Sequence, residues 1–144
     1  MNDAANLQLY NLAISDFNGQ IPLKTYHAPS AGSVLDSYMG FDSRQETISV
    51  PCTKLDSFLK TRPDIIKIDT QGHEWEVLRG ADETLKMNPI LLMEVHLERD
   101  IERIPTLLAE YGYHTKPLLA PLLYFVAEQS IVDQLGSGMK LGET

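Results

Sequence analysis

The sequence predicts an α/β fold built on a parallel sheet, and two observations carry that reading. Two near-continuous apolar runs, DIIKID (64–69) and ILLMEV (90–95), have the composition of strands covered on both faces. The segments that follow them have helical periodicity. EWEVLRGADETLK (74–86) sets Leu78, Ala81 and Leu85 on one face with Trp75 and Val77 alongside, and IERIPTLLAEYGY (101–113) supplies a second helix. Pro89 stops the first of these; Pro105 starts or bends the second, and Gly112 closes it. LLYFVA (122–127) is then a final strand. Strand, helix, strand, helix, strand is the order of parallel strands joined by right-handed crossovers.

The first half reads less regularly. LQLYNLAI (7–14) is a short strand with imperfect alternation, and SDFNG (15–19) is a turn by composition. IPLKTY (21–26) is the return arm of a hairpin, with Pro22 restricting it to an edge. Residues 27–46 are rich in Ser, Gly and Asp and carry no period, which predicts a long loop. TISVPC (47–52) is a strand by its β-branched content. Thr53 and Asp56 form a capping-box pattern for the short helix KLDSFLK (54–60).

A chain of 144 residues with 43% hydrophobic residues suits one domain, 1–130, followed by a flexible tail, 131–144. The net charge of -8 argues against a nucleic-acid partner, which needs clustered Lys and Arg, and against an anionic membrane surface. No run has the length of a membrane-spanning helix, and the first ten residues lack the pattern of a secretion signal. With Cys52 as the single cysteine, an internal disulfide is excluded and a cysteine zinc site is implausible. A cytoplasmic location is the expectation. The run GSGMKLG (136–142) mimics a phosphate-binding loop but has the wrong spacing and no helix after it.

In open α/β sheets ligands bind beyond the carboxyl ends of the strands. Asp69 stands at that end of one strand, and Glu94 and His96 at that end of the other, sharing a face as residues i and i+2. If the strands are neighbours, the three converge on one crevice. Each has a bland counterpart. Asp69 serves equally well as a cap at the strand-to-helix turn, and His96 as an ordinary strand-end histidine. His73 is an exposed turn residue, Glu74 a complement to the helix N-terminus, and Trp75 a packing residue. Glu94 is harder to dismiss, because a carboxylate within an apolar strand is costly unless paired or near water. Asp69, His73, Glu94 and His96 also offer a donor set for a metal, although their spacing matches no tight signature.

The stretch KIDTQGHE (67–74), the helix with L-R-G-A and the strand ending in E-V-H resemble the FkbM family of S-adenosylmethionine-dependent methyltransferases. LAISDFNGQIPL and VPCTKLDSFL resemble that family's upstream segments, in consistent order from about residue 7 to residue 128. The resemblance implies an incomplete class I methyltransferase, Rossmann-like fold: a mostly parallel sheet with helices on both faces and an antiparallel last strand. It implies S-adenosylmethionine as cofactor and a hydroxyl on a sugar, glycan or small metabolite as acceptor. On this reading Asp69 is the base or the acceptor-orienting group, Glu94 and His96 line the acceptor side, and Ala13 and Asp16 lie against the adenine. The family's glycine-rich cofactor loop and ribose-binding acid belong upstream of Leu7. The chain is therefore expected to be a truncated form, or to complete its sheet as a homo-oligomer or with a partner chain covering the open edge. Two alternatives stand beside it: a non-catalytic binding or assembly module of the same fold, and a small metal-dependent enzyme using Asp69, Glu94 and His96.

Overall fold

The computed structural model describes residues 6–25, 32–33, 46–117 and 123–127. In chain order the elements are β1 (Ala13–Ser15), β2 (Gly19–Thr25), β3 (Gly32–Ser33), β4 (Glu46–Lys54), α1 (Leu55–Phe58), β5 (Ile65–Ile68), α2 (Glu74–Arg79), α3 (Asp82–Lys86), β6 (Ile90–Glu94), α4 (Glu98–Glu110), β7 (His114–Pro117) and β8 (Leu123–Ala127). They form two sheets, ordered β1-β4-β2-β3 and β5-β6-β8-β7. The expected tail, the glycine run at 136–142 and most of the expected loop at 27–46 lie outside the described residues.

The expectation of a mostly parallel sheet needs correcting at the level of pairing. β1 pairs β4 and β5 pairs β6 in parallel, whereas β2 pairs both β3 and β4 antiparallel, and β8 runs antiparallel between β6 and β7. The last strand is thus antiparallel as anticipated, and β5, β6 and β7 share one direction around it. HTKP has no apolar alternation, so β7 was not legible as a strand. The hairpin between the first two strands is also absent. β2 pairs over its whole length with β4, and it is β4 that bridges β2 to β1. Residues 7–12 form no strand; Leu7, Leu9 and Tyr10 are exposed.

Apolar spacing explains the packing of the second sheet. Leu91 and Met93 alternate along β6, Val95 continues the period just beyond it, and all three are fully buried. On α4, Ile104 and Leu108 are buried, with Ile101, Leu107 and Tyr111 packed against the same core. The helix begins at Glu98 and carries Pro105 inside it, so the proline neither starts nor ends it. Gly112, with φ +82, turns the chain out toward β7. β5 departs from the picture of a strand covered on both faces: Ile68 is buried but Ile65 is 63% exposed.

Where one helix is expected over 74–86, the chain forms α2 and α3, separated at Gly80–Ala81. The break lies at a tertiary contact. A Cβ at Gly80 would lie 2.1 Å from the carbonyl oxygen of Ser15, so the end of α2 rests directly on the β1 backbone. Asp56 does not cap its own helix, which has no side-chain cap. Its carboxylate reaches α3 instead, accepting from the Glu83 N–H (3.0 Å), the Thr84 N–H (2.8 Å) and the Thr84 hydroxyl (2.7 Å). Thr53 donates to Asn18 at 2.8 Å. The capping-box pattern therefore named a real cap residue and the wrong helix.

Gly80→Ala should destabilise the fold by about 1–3 kcal/mol, because α2 or β1 must move to admit the methyl group. Urea unfolding measures it, and a loss no larger than that of an exposed substitution would show that the contact is dispensable. Asp56→Ala should cost about 1–2 kcal/mol, as other lost helix N-caps do, with Asp56→Asn recovering part of it.

Candidate active site

The parallel register of β5 and β6 sets the site. Ile68 stands opposite Met93, so Asp69 and Glu94 come level one step beyond the last paired residues. His96 follows Glu94 by two and faces the same way. Its Nε2 lies 3.3 Å from Glu94 Oε1 and 3.8 Å from Asp69 Oδ1. The structure thus brings together Asp69, Glu94 and His96, from the ends of two strands. The imidazole is almost wholly enclosed, whereas the Glu94 side chain is 42% exposed and faces the opening.

The loop from Asp69 to α2 is wound around Glu74. Gln71 (φ +56) and Gly72 (φ +100) both take the left-handed conformation, which turns the chain sharply out of the strand. Glu74, in the first turn of α2, folds back beneath that turn and is fully buried. Its Oε1 accepts from the Gly72 N–H (2.9 Å), the Thr70 N–H (3.2 Å) and the Thr70 hydroxyl (3.2 Å), and lies 3.0 Å from His96 Nδ1. The sequence reading of Glu74 as a helix-end complement understates it. The carboxylate does sit where bare N–H groups gather, but it also anchors the histidine.

Asp69 is held on its outer side. Lys67 Nζ lies 2.6 Å from Oδ2, and Gln71 Nε2 donates to Oδ1 at 3.1 Å. The lysine's hydrogen bond keeps the Asp69 carboxyl below its ordinary range, with partial burial opposing it. The donor atoms of Asp69, Glu94 and His96 lie within 4.8 Å of one another, a spacing that one cation would span. Lys67 already supplies positive charge at Asp69. His73, the fourth member of the donor set read from sequence, does not join them.

His73 faces β1. Its Nε2 lies 3.0 Å from Ser15 Oγ and its Nδ1 3.5 Å from Glu76. It is largely enclosed rather than an exposed turn residue. Burial lowers its affinity for a proton against the pull of Glu76, Asp16 and Glu74. Ala13 is the first residue of β1, and Asp16 follows its last, with a carboxylate oxygen 3.8 Å from Arg79 of α2. His73, Arg79 and Gly80 therefore fasten the end of β1 to the helix that starts at the Asp69 loop. Trp75 packs beside the core and carries the Arg103 guanidinium 4.1 Å over its ring. Arg103 in turn pairs with Asp100, which is fully buried.

Comparison with known proteins identifies a family. The methyltransferase FkbM domain matches residues 2–115. A hexuronic acid methyltransferase from Haloferax volcanii is 28% identical over 92 residues, which is 64% of this chain and 34% of that protein. The chain thus spans about a third of the length of the curated relative it matches. No solved structure matches it. The match to the FkbM domain covers well over half of the sequence, and the chain belongs to the FkbM methyltransferase family.

Proposed function

We propose that the protein transfers a methyl group from S-adenosylmethionine to a hydroxyl oxygen of a sugar or other small acceptor, an acidic sugar being the first to test. The observation that carries this is the meeting of Asp69, Glu94 and His96 at the ends of two adjacent parallel strands, where α/β sheets hold their ligands. The acidic sugar follows the hexuronic acid on which the Haloferax volcanii relative is named to act.

The described residues fit such a donor in charge. A sulfonium is a cation, and the rim of the crevice carries Asp69 and Glu94. The carboxylate of Asp16, loosely paired with Arg79 at 3.8 Å, leaves an acceptor at the end of β1 for an adenosyl group, with Ala13 beside it. When bound, S-adenosylmethionine supplies an electrophilic methyl carbon whose bond to sulfur breaks with its electron pair leaving on sulfur. The protein's part is to align the hydroxyl with that carbon and to accept its proton. Glu94 and His96 line the acceptor side, and Asp69 holds the hydroxyl in line.

A cluster of proton acceptors also favours a hydroxyl over a carboxylate as the acceptor. A carboxylate has no proton to give up at neutral pH, and Asp69 and Glu94 would repel it. The reaction is cytoplasmic on this reading, and the outer edges of β1 and β5 offer places for a second copy or a partner chain to extend the sheets. Among the described residues no helix is long and apolar enough to cross a membrane.

The test uses the 144-residue chain, tritiated S-adenosylmethionine and methyl glucuronide. The expected product is an alkali-stable methyl ether, and Asp69→Asn should lower the rate by at least about tenfold while the protein stays folded. An alkali-labile methyl ester would contradict the hydroxyl reading. An unchanged rate in Asp69→Asn would remove Asp69 from the reaction, and no methyl transfer by the folded wild-type chain would favour the second reading, a binding module that keeps the sheet without the chemistry.

A further inference from the structure

An acidic acceptor brings a carboxylate that the strand ends repel, so its recognition needs cations nearby. Lys67 is engaged by Asp69 at 2.6 Å, and Arg79 lies 3.8 Å from Asp16 on the β1 flank. Arg99 and Arg103 stand on the other flank, about one turn apart on the same face of α4. Beside them runs a groove of about 390 Å³ between α2 and α4, with Trp75 and Leu107 as its apolar wall. Glu102, Thr106 and Glu110 offer hydrogen-bonding groups along it. Apolar surface with a few polar groups is the lining that a small-molecule site needs.

The groove starts beside the candidate active site. Trp75 follows Glu74, whose carboxylate lies 3.0 Å from His96, and Arg99 stands three residues beyond His96 in the first turn of α4. Asp100 holds the two arginines together. It is fully buried, which is costly for a carboxylate unless it is paired, and its Oδ1 faces the Nε of Arg103 and, at 3.6 Å, the Nε of Arg99. Trp75 fixes the Arg103 guanidinium 4.1 Å over its ring. Arg103 Nη2 has no hydrogen-bond partner among the described residues. Two guanidiniums to one carboxylate leave one positive charge in excess. Glu102 and Glu110 pair with neither arginine among the described residues, and both are exposed at the rim, where water and salt screen them.

We propose that Arg99 and Arg103 hold the carboxylate of an acidic acceptor sugar at the head of the α2–α4 groove, and so select acidic over neutral acceptors. The proposal rests on the methyl-transfer reading above and names the residues that choose its substrate. A guanidinium recognises a carboxylate by charge and by paired hydrogen bonds, and a neutral hydroxymethyl group in its place forfeits both. With the carboxylate held there, the hydroxyls of the sugar are left to face Glu94 and His96, and no like charge is brought against the strand ends.

Trp75 is the single tryptophan of the chain, so its emission reports the groove directly and without any methyl transfer. Methyl glucuronide and methyl glucoside differ only in a carboxylate against a hydroxymethyl group. Titration of the 144-residue chain with each should give a saturable change in Trp75 emission with the glucuronide, and binding at least about tenfold weaker with the glucoside. Arg99→Gln alters a side chain that is 59% exposed and should fold as the wild type does. It should weaken glucuronide binding by about fivefold or more and leave glucoside binding as it was. Equal affinity for the two sugars, no change in emission, or unaltered glucuronide binding in Arg99→Gln would each overturn the proposal. Methyl transfer at equal rates to both sugars would overturn it and leave the reaction standing. Glucuronide-selective binding without methyl transfer would keep the subsite and remove the reaction.

Discussion

A carboxyl group without exposed surface is costly unless donors replace its water, and at Glu74 the loop's own donors gather on Oε1 while Oε2 is buried with no partner. The chain leaves β5, takes two left-handed residues at Gln71 and Gly72, and so aims the Thr70 and Gly72 N–H groups inward at one oxygen. The same oxygen receives the ring of His96. Turn conformation, helix start and histidine orientation are thus one arrangement. Gly72 is needed for the turn, and Glu74 is needed to make the turn worth its strain.

The strand ends depend on that arrangement and extend it. Parallel pairing of β5 with β6 sets Asp69 level with Glu94, and the two-residue strand period carries His96 to the same side. On the other flank, the close seat of Gly80 on Ser15, with His73 beside it, ties β1 to α2. The residues read as the acceptor side and those read as the adenosyl side therefore sit on elements joined through one helix of six residues. A displacement of α2 would be felt at both.

The parts of this that could be read from sequence are those with local causes. Apolar runs gave β5 and β6, helical spacing gave α4, and the carboxyl ends of the two strands placed Asp69, Glu94 and His96 at one end of the sheet. What sequence could not give was set by contacts between distant segments. The division of one expected helix falls at Gly80, where the chain meets the Ser15 carbonyl about sixty-five residues upstream; a glycine alone marks a possible break, and only that distant contact shows what lies against it. Asp56 has the side chain of a cap, but only packing decides that it caps α3. β7 has no apolar alternation and is a strand because β8 presents an edge to it. Glu74 carried a signal that could have been weighted more heavily. An acid directly after a glycine turn and at a helix start lies where unpaired N–H groups point inward as well as outward.

On the proposed reading the acceptor hydroxyl lies between Asp69, Glu94 and His96. A crystal structure of the chain with S-adenosylhomocysteine and methyl glucuronide tests that placement most directly. It should show a sugar hydroxyl oxygen within about 2.6–3.2 Å of His96 Nε2, with Asp69 or Glu94 as its second contact. A sugar bound elsewhere, such as against Trp75 and Arg103 on the α2–α4 side, with the strand ends untouched, would contradict it.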